Sequence, residues 1–332
     1  MQANVARNLK TVDALEVTVL VDNVTDGLST VPKDVTGETA LLMKKGMRVS
    51  SGHARCCAHF GLSLVVTARV GSDLQALLFD TGPEAYALAR NGDRLKVPFG
   101  EVSAIVLSHG HWDHGGGLLE AVRLVTTANG GKPVPCHVNE GMFVSRAQRL
   151  REGEYLPFED VAKPEQLTKM GAAVVNSPDA RLLLDDRFFL SGEIPRVTAY
   201  EKGFPPHVKR SADGTSWEPD PLIMDERYVA AYVKGKGVLV FTACSHAGVI
   251  NVLKDARNTF GDIPLFAVMG GFHLSGAAVE KIIPDTVRDM QTFGLKRIIP
   301  AHCTGWRAVH ALANVYGDDV LVPAAVGRQF TF

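Results

Sequence analysis

With 332 residues, 46% of them hydrophobic and 21% charged, the chain is long enough to bury a substantial core and has an ordinary globular composition. Lys and Arg number 35 against 36 acidic residues, so no bulk charge draws it to nucleic acid or to a membrane surface. No uncharged apolar run approaches the length of a membrane span, residues 1–7 lack the apolar core of a secretory signal, and five irregularly spaced cysteines fit a reducing, cytoplasmic setting.

Residues 15–21 alternate and are rich in β-branched side chains, which predicts a first strand ending in Asp22 and Asn23. A polar stretch to about residue 55 reads as surface loop with a short helix. Residues 61–68 and 76–80 form a predicted hairpin about Gly71, Ser72 and Asp73. Asp80 then stands where a buried strand opens into a turn, the place for an acid that orients a ligand histidine.

The next apolar run, residues 102–107, delivers the densest chemistry in the chain. His109, His111, Asp113 and His114 fall within six positions. On an extended chain residues two apart share a side, so His109 and His111 can converge on one cation. Asp113 and His114 need a turn, which the three glycines 115–117 permit before a helix beginning at Leu118. Two ligand pairs imply two neighbouring metals. Imidazole with carboxylate suits zinc, with manganese or iron as alternatives.

Residues 134–138 read as another strand, with His137 as a structural histidine, and residues 140–170 as mixed helix and loop. Residues 181–190 and 196–200 read as strands flanking Gly192, Glu193 and Ile194. The segment 201–221, with four prolines, two glycines and Trp217, is too long for a simple connection and reads as a lid or insertion in a single domain spanning 1–332. Lys209, Arg210 and Trp217 are its candidate substrate contacts: two cations for a phosphate or carboxylate, and an indole for a planar ring.

The second half repeats one arrangement three times. Apolar runs at 237–243, 264–269 and 297–300 end in small residues, and His246, His273 and His302 follow them. Predicted helices at 248–258 and 277–293 lie between. Strand–helix alternation implies an α/β layer, whose ligands collect at the carboxyl ends of strands.

These motifs, His-x-His-x-Asp-His above all, resemble the metallo-β-lactamase superfamily. The segments Leu20 to Asn23, Leu78 to Gly82, Gly192 to Arg196, Cys244 to Asn251, Gly270 to Leu274 and Ala301 to Gly305 resemble its dihydropterin–ribofuranosylaminobenzene 5′-phosphate synthase-like branch. The resemblance implies a four-layer αββα sandwich with the metals at one edge. It gives His109 and His111 to a first metal, and Asp113, His114 and His302 to a second. The superfamily usually adds a third histidine and a bridging Asp or Cys. Here no Gly-His-Thr-like or Gly-Asp motif stands mid-chain, and His246 occupies the strand end where a bridging carboxylate is expected. It is assigned as a ligand without choosing a metal, and Glu193 or Asp80 as a supplementary carboxylate.

The resulting expectation is a metal-dependent hydrolase of a lactone, ester or phosphoester small molecule. Its bound water loses a proton near neutral pH, Asp113 orients the nucleophile, and His273 protonates the leaving group. Two rivals stand beside it: a dihydropterin-type synthase joining a heterocycle to an aromatic amine phosphate, and a non-catalytic, metal-stabilised ligand sensor. Cys303 is a candidate nucleophile by its position beside His302. A small-molecule substrate is the expected partner, and a homo-oligomer stays open.

Overall fold

A computed structural model describes residues 2–332. Its centre is a pair of facing sheets. The first runs Ala172–Asn176, Val134–Val138, Val102–Val106, Asp73–Phe79, Ser63–Val70, Ala14–Val21, Gln329–Thr331 and Val35–Thr36. The second runs Arg181–Leu183, Phe188–Leu190, Val229–Val233, Gly237–Thr242, Leu265–Gly271 and Arg297–Ala301, with Thr11–Val12 alongside Val229–Val233.

Side-chain alternation explains the layering, because successive residues of a strand face opposite sides. Leu239, Phe241, Ala267 and Met269 of the second sheet face Val17, Val19, Leu64 and Phe79 of the first in one buried cluster. Val238, Val240 and Val268 point the other way, against helices Val249–Phe260, Ile283–Met290 and Trp306–Tyr316. On the outer face of the first sheet, Leu78, Val102 and Ile105 pack on helices Glu38–Lys44, Ala85–Arg94, Leu118–Ala128 and Pro164–Met170. This is the αββα sandwich.

Three segments differ from the sequence reading. Residues 140–170 hold two strands as well as a helix. Arg146–Arg151 pairs with Glu154–Pro157 and with His207–Arg210, which pairs in turn with Trp217–Pro219. The insertion therefore completes a small third sheet with an earlier segment, a long-range pairing that local periodicity cannot report. Residues 196–200 are not a strand. Arg196 turns its guanidinium onto the carbonyls of Leu222 and Ile223, and Thr198 bonds the Glu201 carboxylate, so side chains satisfy this backbone instead of a ladder. Residues 181–190 divide at Leu184, Asp185 and Asp186, all with positive φ, into two short strands.

The strands from Asp73–Phe79 to Val102–Val106, and from Gly237–Thr242 to Arg297–Ala301, are parallel within their sheets. Their carboxyl ends therefore meet along one edge of the sandwich. At that edge Asp80, Ser245, His273 and His302 all have φ between 45° and 57°. Such conformations cost non-glycine residues on the order of 1–3 kcal/mol each and persist only where the surroundings fix them.

Candidate metal centre

Glycines 116 and 117 serve close approach rather than a left-handed backbone. Gly116 and Gly117 have negative φ. A Cβ on Gly116 would lie 1.9 Å from the Pro83 carbonyl oxygen, and one on Gly117 2.3 Å from that of Thr81. Close approach to the Asp80–Pro83 turn is what requires glycine here. The contact brings the one-turn helix Trp112–Gly115 beside Asp80.

Three of the ligand candidates, His114, His109 and His302, have their ring nitrogens assigned by their neighbours. Asp80 accepts the Ser108 backbone N–H and hydroxyl, each at 2.7 Å, and lies 2.7 Å from His114 Nδ1. Because the Ser108 hydroxyl donates to Asp80, it can only accept from His109 Nδ1, 2.8 Å away. His302 Nδ1 lies 3.0 Å from Asn23 Oδ1, while Asn23 Nδ2 donates to the His302 carbonyl and Asp22 accepts the His302 N–H. In each case Nδ1 carries the proton and Nε2 is left with its lone pair inward.

The free atoms then pair. His109 Nε2 is 3.1 Å from His111 Nδ1, His114 Nε2 is 3.2 Å from His302 Nε2, and Asp113 Oδ2 is 3.3 Å from His302 Nε2. Bonds of about 2.0–2.1 Å to a tetrahedral zinc place neighbouring nitrogen ligands roughly 3.3–3.4 Å apart. The separations match edges of such a polyhedron. Both ring nitrogens of His246, and His111 Nε2, are buried without a partner among the described residues. The donor set fits a divalent metal.

Cys244 supplies what the middle of the sequence seemed to lack. It closes one triad with His109 and His246 and another with His114 and His302, each with donor atoms within 4.8 Å. It thus stands between the two positions, and His246 falls on the His109 side, a choice the sequence left open. The signal was present in Cys244-Ser245-His246.

Electrostatics follow from burial. Desolvation first, then neighbouring imidazoles, hold His109, His111 and His246 well below the ordinary histidine range. Burial opposes protonation of His114 too, but the Asp113 and Asp80 carboxylates outweigh it and raise it to about 9. Asp113, though buried, is drawn down to about 2 by His114 and His302.

Buried acids anchor the scaffold. Glu226 accepts the N–H groups of His246 and Ala247 at 2.8 and 2.7 Å. Glu201 accepts those of Ile250 and Asn251, both at 2.9 Å, at the start of the next helix. Asp225 accepts the N–H of Gly110, between His109 and His111, and pairs with buried Arg146 of the small sheet. The small sheet is thereby fastened to the ligand loop.

A cavity of about 610 Å³ opens onto the centre. Phe60 and Trp112 wall it on the Asp113 side, Phe158 and Phe204 on the other, and His207 and His273 also line it. Of the insertion's residues, Phe204 and His207 line this cavity, whereas Lys209, Arg210 and Trp217 do not. Trp217 stacks on Tyr155 at 5.7 Å with Arg210 over its ring at 4.0 Å, so its ring is engaged within the small sheet. His207, buried and with Nδ1 unpartnered among the described residues, is the insertion's polar contribution to the cavity. Glu193 is exposed and lines a separate small recess with Asp225 and Glu226, outside the ligand triads. His137, on the strand Val134–Val138, lies outside these triads too, with Arg181 and Arg227 as its charged neighbours.

Comparison with known proteins agrees with this geometry. Residues 60–169 match the Metallo-beta-lactamase superfamily. A solved structure described as a metal-dependent hydrolase of the beta-lactamase superfamily superposes with a TM-score of 0.68, at 20% identity, over 95% of this chain and 98% of its own. The chain has the metallo-β-lactamase fold. The sequence is 27% identical over 266 residues to the 7,8-dihydropterin-6-methyl-4-(β-D-ribofuranosyl)-aminobenzene-5′-phosphate synthase of Methanocaldococcus jannaschii, covering 78% of this chain and 85% of that protein. An uncharacterised protein of the same organism is 28% identical over 247 residues, covering 73% and 85%. Among the described residues no helix is long and apolar enough to cross a membrane.

Proposed function

We propose that this protein is a metal-dependent hydrolase of a small lactone, ester or phosphoester, holding one or two divalent cations, zinc foremost. The observation that carries the reading is the pair of ligand edges, 3.1 Å at His109–His111 and 3.2 Å at His114–His302, at the floor of a cavity of ligand size. A divalent cation there would supply Lewis acidity and lower the pKa of a coordinated water from near 16 towards about 7.

The chain's own residues provide the rest. Asp113, ionised at neutral pH, orients the attacking water by accepting its hydrogen bond. His273 lines the same cavity and is placed to hand a proton to the leaving oxygen. Phe60, Trp112, Phe158 and Phe204 exclude water around the reacting group and favour a planar substrate. Turnover on a panel of lactones, aryl esters and phosphodiesters, abolished by chelation and restored by zinc or manganese, tests this. No turnover on any class by the metal-loaded protein would contradict it.

The synthase-like relative and the aromatic walls support a second reading, in which the cavity holds a heterocycle and an aromatic amine phosphate for condensation. Product formation that requires both partners, without hydrolysis of either alone, would favour it.

A further inference from the structure

A third set of donors lies beside the two already described. Cys303 Sγ is 2.9 Å from Cys244 Sγ, and His273 Nδ1 is 3.4 Å from the same sulfur. The three donor atoms fall within 4.8 Å of one another, and all three residues line the cavity, which gives a cation a route in. Neither Cys303 nor His273 belongs to the His109 or the His114 ligand pair.

We propose that Cys244, Cys303 and His273 form a third, thiolate-rich metal position that takes a soft cation in preference to the hard ions that carboxylates favour. Softness follows from the donor set: two sulfurs and one imidazole select cadmium, copper(I) or zinc over magnesium or manganese. A buried cysteine is ordinarily an inert apolar filler. Cys303 instead faces a second thiol and an imidazole, and the left-handed backbone at His302 and His273 (φ 45° and 47°) turns both side chains inward.

Binding releases the two thiol protons to solvent and forms two metal–sulfur bonds, with no change of oxidation state. A tetrahedral cation with bonds of about 2.3 Å holds its sulfurs near 3.8 Å, so the pair must open by about 1 Å, within reach of a cysteine rotation. Because Cys244 is common to all three triads, a cation here competes with the other two positions or shares its sulfur with one of them.

The test uses the full-length protein, reduced and stripped of metal, titrated with cadmium(II) while the sulfur-to-metal charge-transfer absorbance is read. The wild type should show the intensity of two thiolates, Cys303→Ala about half of it, and His273→Ala the same intensity at weaker affinity. Cadmium-113 NMR of the wild type, which needs no variant, should report a two-sulfur environment. Equal intensity in wild type and Cys303→Ala, or a one-sulfur NMR signal, would overturn the proposal. So would a Cys244–Cys303 disulfide that persists under reduction and excludes the cation. Zinc content of the same variants reports separately on the histidine–carboxylate positions and hence on the hydrolase reading, so the two can fail independently.

Discussion

Asp80 lies 2.7 Å from His114 Nδ1, and through the Ser108 hydroxyl it also fixes the His109 tautomer, so one buried carboxylate points two ligand nitrogens inward. Asp80→Ala removes both constraints without removing a ligand. Such supporting partners are typically worth 10- to 100-fold in metal affinity. Competition against a chromophoric zinc chelator should show a loss of that size. Unchanged affinity would mean the tautomers are set elsewhere.

Cys244→Ala removes the donor common to both ligand sets, whereas His246→Ala affects the His109 side alone. Cys244→Ala should therefore lower metal stoichiometry more than His246→Ala, and His137→Ala should leave it unchanged. Calorimetric titration of the three variants checks the order. Normal binding by Cys244→Ala would show that the Cys244 sulfur serves neither ligand set.

Arg146 is buried between Asp220, at 2.8 Å, and Asp225. Arg146→Met leaves two carboxylates buried without their cation, a change that costs about 3–5 kcal/mol. Because Asp225 also holds the Gly110 N–H, the substitution should weaken metal binding along with urea resistance. A loss of stability with full metal affinity would show the small sheet to be independent of the ligand loop.

The metal-free protein should lose stability on acidification. Burial holds His109, His111 and His246 well below 6.5, His207 at about 3 and His137 at about 4. Their stability contribution is present above pH 6.5 and lost as pH falls, because the unfolded chain binds protons that the folded chain excludes. His114 has the opposite sign: raised to about 9, it contributes fully below 6.5 and loses that as pH rises through 9. Buried carboxylates also oppose the loss, since Asp22 and Asp255 are raised to about 6, Glu201 to about 7, and Glu226 is raised too, so the folded chain takes up protons there. The five depressed histidines outnumber these four, so the unfolding free energy from urea titration should fall between pH 6.5 and 4, by a net amount well under the roughly 1.4 kcal/mol per pH unit that each histidine alone would give. A flat unfolding free energy over that window would contradict the burial argument.

The strands that end in ligands were legible because each is an apolar run closed by small residues, as at residues 102–107 and 297–300. The four-layer sandwich followed from strand–helix alternation together with the motif resemblance. The third sheet was not legible, since Arg146–Arg151 is polar and finds its partner, His207–Arg210, through some sixty residues of intervening chain. Trp217 and Arg210 looked like substrate contacts from composition, but they satisfy one another on the sheet's surface. The roles of Cys244 and Asn23 depend on which atoms meet across the two halves of the sandwich, and no periodicity within either half encodes that.

Metal content is the most direct measure of the central claim. Elemental analysis of protein purified without chelators should find between one and two equivalents of first-row transition metal per chain, falling when His111 or His302 is replaced by Ala. Removing the metal should lower the melting temperature and adding zinc should restore it, by mass action on the folded state. Protein that is isolated metal-free, takes up neither zinc nor manganese, and gains no thermal stability from either would contradict the account.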